Sequence, residues 1–597
     1  MWGWVENIKR KHDEKKAAER AKIEEKRIEE NSRKFIHAHG QAVLDLVTRK
    51  ESLFSKKDLT RMVSGYNGKI KVDDALAEGI ADRLLKNKHE VVAYGVQREG
   101  QKLFSTLDAR YSEERMFQEA KRLHRFDFAP KIDEKIIAGA VEGMAENARQ
   151  NGFEPSQEQM SAVQKILEPG QLKLLEGPPG AGKTPIAEVV ATAVKQQAEK
   201  DGKQGQIVAT AVSAKAAAQL GLDAKVPAMS IRELTDDMRK PKGEKVKSGA
   251  TILVDEAGMM STRQMEVLLK LADMNSSKLV LIGDSAQIPS AEAGQPFRVM
   301  TENLETIRLS TSRRQKDAQD RAATHELRDG SPLKALESYD QRGKIAFSEN
   351  GESTLRQVAQ DYAAWRSTPA AKDQSSVVLT NTSEDAKAAN AVIREEMKAN
   401  GLLGKEGRVF TPDGKAEFAV GERMIVMDNM IGAQVAHGDS PVQSESPKAK
   451  VPRGSVGTVV GITDNSVSLR LDEGVETLKN YNAAAGEKSK DGTIVALNTD
   501  GYPDLRHAYA MGLRDAQGMT VDKSFVAITG KVNRAETLVA FTRHKHDTQA
   551  VVNKSVYKDV QALAHDSTKS ANKLMNLDIT MGAAYAHTML GKGGRSA

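Results

Sequence analysis

The stretch 172–184, LKLLEGPPGAGKT, decides the fold. A short apolar run with the character of a buried strand enters a glycine-rich turn: Gly177, Pro178, Pro179, Gly180, Ala181 and Gly182. Lys183 and Thr184 close the turn at the head of a helical stretch. The glycines let backbone N–H groups converge on phosphate oxygens, the lysine reaches the β and γ oxygens, and the threonine hydroxyl is a ligand for Mg²⁺. The strand–loop–helix context is what separates a true phosphate loop from a chance match. Pro185 comes next. Proline is tolerated in a first helical turn, but it removes an amide that commonly points at the α-phosphate. Nucleotide affinity is therefore expected to be weaker by one hydrogen bond, about 1 kcal/mol.

Outward from this loop, Leu172–Leu175, Ile207–Ala211, Ile252–Val254 and Leu279–Ile282 are short apolar runs bounded by Gly, Asp or Glu, with helical stretches between them. They read as parallel strands buried on both faces in a doubly wound α/β domain. A second series, Val377–Thr380, Phe525–Thr529 and Gln549–Val552, predicts a second α/β domain. At 417–500 it is interrupted by short strands and turns that look like a small β-barrel, with a Ser-, Pro- and Lys-rich loop at 436–453 expected to be mobile. Upstream, 1–34 reads as a charged, solvated helix. In 35–150, Ser55 is placed to cap a helix, another starts at 73–76 and a hairpin turns at Gly100, a winged-helix-like pattern. The expected divisions are 1–34, 35–150, 151–310 (phosphate loop), 311–416 and 501–560 (two parts of the second α/β domain), 417–500 (β insert) and 561–597 (a tail with little signal).

Composition narrows the chemistry. The chain has 597 residues and no cysteine, so disulfides, thiolate zinc sites and cysteine-ligated iron–sulfur clusters are excluded. No apolar run is long enough to span a bilayer, and the amino end lacks a signal-peptide core, so a cytoplasmic protein without membrane insertion is expected. A net charge of +6 permits a nucleic-acid partner without demonstrating one. Aromatic residues are only 4%, so any grip on DNA should rely on phosphates more than on base stacking.

The apolar run Thr251–Val254 ends in Asp255 and Glu256. Asp255 suits the Mg²⁺ shell alongside Thr184, and Glu256 suits a base that orients attacking water. A third strand end reads LIGDSAQ (281–287), whose Gln287 could sense a γ-phosphate. Arg314 in RRQ and Arg543 in VAFTR are candidate cations for a phosphoryl transition state.

In order along the chain stand SQEQ (156–159), GPPGAGKT, VDEAGM (254–259), GDSAQ (283–287), RRQ (313–315), LTNT (379–382), AQGMTVD (516–522) and VAFTRHK (539–545). This set resembles superfamily-1 helicases of the B, RecD-like branch, particularly the helicase portion of conjugative relaxase–helicases of the TraA/TraI type. SAKAAAQL (213–220), EAGQPF (292–297), NAVIREEM (390–397) and HAYAMGLRDAQG (507–518) strengthen the likeness, which runs from about residue 36 to about 555. It implies two RecA-like domains with ATP and Mg²⁺ between them, an SH3-like β insert and 5′→3′ translocation on single-stranded DNA. It also implies that Gln159 reads adenine, that Gln287, Arg314 and Arg543 attend the γ-phosphate, and that Ser213, Lys215, Thr380, Asn381 and Gln517 line the DNA path.

Three departures accompany it. The 220–250 stretch leaves little room for a strand-separating pin. Asp515 stands where a cation is usual. No tyrosine and histidine cluster for nicking is evident, and His37 with His39 is a weak metal candidate. The expected function is an ATP-dependent DNA helicase of plasmid transfer, with a separate relaxase or conjugation machinery as candidate partner. Alternatives are a RecD-like repair or recombination helicase, and a DNA-binding accessory subunit with weakened ATPase.

Overall fold

The computed structural model describes residues 2–66, 72–150, 154–202, 206–238, 246–404, 406–411, 414–436, 448–463, 466–472, 476–478, 487–488, 492–498 and 504–581. Two parallel sheets carry the architecture. In the first, the strands lie in the order Ala228–Ser230, Ile207–Ala211, Thr251–Asp255, Lys278–Gly283, Leu172–Glu176, Ile307–Arg308, and every neighbour pair is parallel. The unbroken apolar runs follow from burial on both faces. Leu172, Leu174, Ile252, Val254, Leu279 and Leu281 enter one core, while Leu175, Leu253, Val280 and Ile282 enter another on the opposite face. The second sheet runs Ile345–Ser348, His544–Asn553, Val521–Ile528, Ser376–Thr380, Ala510–Gly512, again all parallel.

Between Ser376–Thr380 and Ala510–Gly512 the chain leaves the second sheet for antiparallel structure. A hairpin pairs Glu406–Thr411 with Gly414–Ala419. A nine-stranded sheet follows, whose outermost members are Glu487–Lys488 and Leu505–His507. Most of the loop expected at 436–453 (437–447) lies outside the described residues, as does 582–597.

The amino-terminal unit begins with a single helix, Trp2–Lys50. The charged first part and the more apolar second part belong to the same helix. The composition shift records a change of surroundings, because Phe35, Val43, Leu44 and Val47 enter the core of this unit while Glu14 to Glu25 stay exposed. Helix Lys56–Ser64 starts at a capping box in which Ser55 and Asp58 satisfy each other's backbone N–H groups. Helix Asp74–Lys86 is capped by Asp73. The hairpin Val91–Arg98/Gln101–Thr106 turns at Glu99 and Gly100, both with positive φ (53° and 75°), as a two-residue hairpin loop requires.

Helix Leu107–Arg125 leaves this unit to pack on helix Thr262–Met274 of the first sheet unit, with Ser112 Oγ donating to Glu266 at 2.8 Å. The carboxyl segment returns to the same place. Helix Asn576–Thr580 lies against Leu107–Arg125, and Met575, Asn576 and Asp578 are buried there.

Candidate nucleotide-binding cleft

Strand Leu172–Glu176 delivers the chain to the loop, where the Gly177 N–H donates to Gly283 O at 3.0 Å. Gly180 and Gly182 take φ of +78° and +83°, the left-handed region that glycine reaches without strain. They must also lack a Cβ. At Gly180 it would stand 2.5 Å from Arg314 Cβ, and at Gly182 2.1 Å from Gln159 Nε2. Helix Lys183–Lys200 starts directly behind, with Pro185 in its first turn. Lys183 Nζ donates to Gly177 O (2.7 Å) and Pro178 O (3.0 Å), and burial pulls its pKa down. Its ammonium thus sits on the loop's own carbonyls, contacts that a phosphate oxygen can replace.

Strand Thr251–Asp255 ends at the same edge. Asp255 Oδ1 accepts from Glu256 N at 2.8 Å, and Glu256 is held at φ 52°, a strained conformation for a residue with a side chain. Burial raises Asp255, and burial with the adjacent Asp255 charge raises Glu256 to about 7. The Glu256 carboxylate abuts Gly518 of the second sheet unit, where a Cβ would come within 2.2 Å of Oε1. Gln287 Nε2 donates to Asp284 Oδ2 at 3.2 Å. Asp284 lines the cleft and also faces Arg328 (3.4 Å). It stands in GDSAQ, where sequence reasoning picked out the glutamine and missed the aspartate.

Arg543 is fully buried, its Nη2 donating to Thr542 Oγ1 at 2.9 Å while Nε has no hydrogen-bond partner. Arg314 Nη1 donates to Thr542 O at 2.9 Å. Burial lowers Arg543 to about 10, and burial with the neighbouring Arg543 charge holds Arg314 well below the guanidinium range. The segment that carries Arg543 into strand His544–Asn553 is anchored from behind. Gln315 Nε2 donates to Thr542 O and His544 O (3.2 and 3.3 Å), and the buried His544 ring meets the buried Asp320 carboxylate at 3.0 Å.

Lys183, Thr184, Asp255, Glu256, Gln287, Arg314, Gln517 and Arg543 all line one cleft of about 480 Å³ between the two sheet units. Lys316 and Lys545 line it too; neither is a residue that the motifs point to, although Lys545 ends VAFTRHK. Gln517 was expected on the DNA path. Here it borders the nucleotide cleft with its Oε1 buried and unpartnered. Gln159 is committed locally, since Oε1 accepts from Ser156 N (3.0 Å) and Nε2 donates to Ala181 O (2.9 Å), clamping the loop to helix Gln157–Leu167.

The remaining DNA candidates do not line that cleft, although the Lys215 charge reaches Glu256; they stand at or just beyond carboxyl ends of strands. Ser213 caps helix Ala214–Ala224 by accepting from Ala216 N at 3.0 Å, and Lys215 lies beside Gly454 of the β insert. Thr380 is fully buried, bonded to Thr382 O at 2.9 Å, while Asn381 Oδ1 accepts from Thr529 N at 2.8 Å. Asp515 faces Ser383 Oγ at 3.5 Å. His39 packs between the rings of Phe35 and Tyr66. In the 220–250 stretch the described residues include helix Ile231–Met238, and 239–245 lie outside the description.

The donor set fits a polyphosphate with a divalent cation. Buried cations converge on a glycine cradle, and Thr184 and Asp255 offer oxygens. Thr184 and Asp255 would hold a divalent cation such as Mg²⁺ together with phosphate oxygens of the ligand.

Residues 154–350 match the family model described as AAA domain. The chain is 27% identical over 584 residues to conjugal transfer protein TraA of Agrobacterium fabrum, and 26% identical over 577 residues to the protein of the same name from Rhizobium radiobacter. Each alignment takes in 96% of this chain and 47% of the relative, so the chain spans about half the length of the curated relatives it matches. Among solved structures, a Pif1 helicase from Candida albicans is 15% identical with a TM-score of 0.41, covering 68% of this chain and 96% of that one. The chain is related in sequence to TraA, as its motif series implied.

Proposed function

We propose that this chain is an ATP-driven translocase on single-stranded DNA that works as a helicase in conjugative transfer. The observation that carries the reading is the cleft itself. Lys183, Thr184, Asp255 and Glu256 of the first sheet unit face Gln517 and the unpartnered guanidinium edge of Arg543 from the second. Lys183, Arg314 and Arg543 have Asp255, Glu256 and Asp284 as neighbours but no carboxylate at ion-pair distance among the described residues, so they call for an anion that can pair with them directly. ATP with Mg²⁺ meets that need and contributes the phosphoryl group transferred to water.

On this reading Lys183, Arg314 and Arg543 stabilise charge on the phosphoryl oxygens, and Thr184 and Asp255 hold the metal. Glu256 orients the attacking water, and Gln287 reports the γ-phosphate through Asp284. Because the two halves of the site ride on different sheets, nucleotide turnover would open and close the gap between them. Gln517 belongs to the segment 507–518 that the resemblance places on DNA, so it links the two ligands. Ser213, Lys215 and Asn381 would contact the strand, Thr380 would support that surface from inside, and the β insert, read as SH3-like, would help hold the DNA beside Lys215. The 5′→3′ polarity, a separate relaxase as partner and a cytoplasmic location belong to the same proposal. Among the described residues, no helix is long and apolar enough to cross a membrane.

ATPase measured with and without oligo-dT is the direct test, with Lys183→Ala as the inactive control. Strong stimulation by the oligonucleotide is expected, and wild-type turnover indifferent to DNA would sink the motor reading. Unwinding of 5′-tailed but not 3′-tailed duplexes checks the polarity. An accessory subunit with weakened ATPase is favoured by one observation, the missing amide at Pro185; it requires DNA binding with turnover at background.

A further inference from the structure

Far from the cleft, the amino-terminal unit carries a groove of about 900 Å³ between helix Lys56–Ser64, helix Asp74–Lys86 and the hairpin strand Gln101–Thr106. Its charge is uneven. The acids lining it, Glu78 and Asp82, both pair with Lys56, at 2.9 and 2.8 Å. Lys57, Lys86 and Lys102 are exposed and form no ion pair among the described residues. Arg61, 72% exposed, has one carboxylate in range, Asp58 at 3.9 Å, and that carboxylate is already bonded to Ser55 and to Arg98. Thr60 and Ser64 add hydroxyls along the same helix face.

The groove's surface is mostly apolar, with Leu85 and Phe104 in its lining, and the uncompensated cations and the hydroxyls that stand along it fit a phosphodiester backbone. It fits a single strand poorly. Sequence-tolerant single-strand binding uses exposed aromatic faces for the bases, and the aromatic ring lining this groove, Phe104, is part-buried against the unit's core beside Phe54. We infer that the groove formed by Lys57, Arg61, Lys86 and Lys102 holds the backbone of duplex DNA adjoining the strand gripped by the motor. The inference rests on the reading of the chain as a DNA motor, and gives the amino-terminal unit a task in it: keeping the duplex close while the sheets step along one strand. Binding through phosphates alone predicts no sequence preference.

The test uses the full chain and a labelled blunt duplex, with binding followed across a salt series in the absence of nucleotide. Combining Lys57→Gln, Arg61→Gln, Lys86→Gln and Lys102→Gln should weaken duplex binding about tenfold or more and flatten the log–log salt slope by about 1 for each phosphate that is no longer neutralised. ATPase at saturating oligo-dT should be unchanged. A second variant, Glu78→Gln with Asp82→Asn, frees Lys56 and should tighten duplex binding, a gain that misfolding cannot imitate. Wild-type duplex affinity in both variants overturns the inference. So does a loss confined to single-stranded DNA, or unaltered DNA binding with loss of an acidic protein ligand. Because the readout is binding without turnover, DNA-indifferent ATPase would end the motor reading and leave this result standing.

Discussion

Where the amino-terminal unit, the first sheet and the carboxyl segment meet, buried Arg298 gives Nη2 to both oxygens of Asp578 (3.0 and 2.7 Å) and Nη1 to Glu302 (3.0 Å). Across the candidate cleft, Arg543, also buried, spends one nitrogen on the neighbouring Thr542 hydroxyl and meets no carboxylate at ion-pair distance among the described residues. The carboxylates contrast in the same way. Glu113, in the seam, accepts the Leu577 N–H at 3.2 Å with Ser52 and Asn576 alongside, while Glu256 is held in a strained conformation against a glycine. Both places desolvate charge. In the seam cation and carboxylate pair directly, and the contact is a joint; in the cleft cations and acids stand near one another without pairing, as a site that takes an anion does.

The largest effect that could break this comparison is at Arg543. Arg543→Ala should lower kcat about 10³-fold or more, while the melting temperature holds or rises because a buried unpaired cation is gone. Steady-state ATPase and a thermal melt read the two, and a steep fall in the melt would place Arg543 among the joints. Arg298→Ala should do the reverse, costing about 3–5 kcal/mol in urea unfolding by stranding Asp578, with turnover per folded molecule intact.

The carboxyls sharpen the contrast through pH. Burial lifts Glu113 from 4.5 to about 7, so the folded protein holds a proton that the unfolded chain releases. Stability should then fall as pH climbs from about 4.5 to about 7, by up to roughly 3 kcal/mol. Glu113→Gln should flatten that part of the urea-midpoint profile. Glu256, also lifted to about 7, must be ionised to orient water, so kcat/KM should rise with pH through that value. A flat limb there would remove Glu256 from the role. The smallest effect is at the loop, where Pro185→Thr restores an amide worth about 1 kcal/mol and should lower the ATP KM about fivefold. An unchanged KM would mean that the missing N–H is of no consequence.

Much of this was legible because the chemistry is local. GPPGAGKT carries its own geometry, and the central strands announce themselves as apolar runs because both faces are covered. Arg314 and Arg543 became legible only through the ordered motifs, since a lone arginine carries no sign of burial. The seam was illegible. Asp578 stands in a tail with little signal, and its partner Arg298 is 280 residues away, just past EAGQPF. Polar residues that pair over such distances leave no periodicity. Gln159 was read for its motif role, while its bonds to Ser156 and Ala181 belong to a helix cap that only coordinates reveal. The continuity of helix Trp2–Lys50 was hidden for another reason: a change of composition marks where burial begins as readily as where an element ends.

The seam also sets a clock. Tyr94 Oη bonds Asn576 Oδ1 across 482 residues, and Glu113 meets Leu577 across 464. At a synthesis rate of about 5–20 residues per second, roughly 25–100 s separate the partners' emergence from a ribosome. Throughout that interval Glu113 has no Leu577; Arg298, 280 residues ahead of Asp578, lacks its buried carboxylate for about 14–56 s at the same rate, and the first sheet unit waits with an open apolar slot for Met575. What holds the finished fold together is thus, during its manufacture, the surface longest in need of protection.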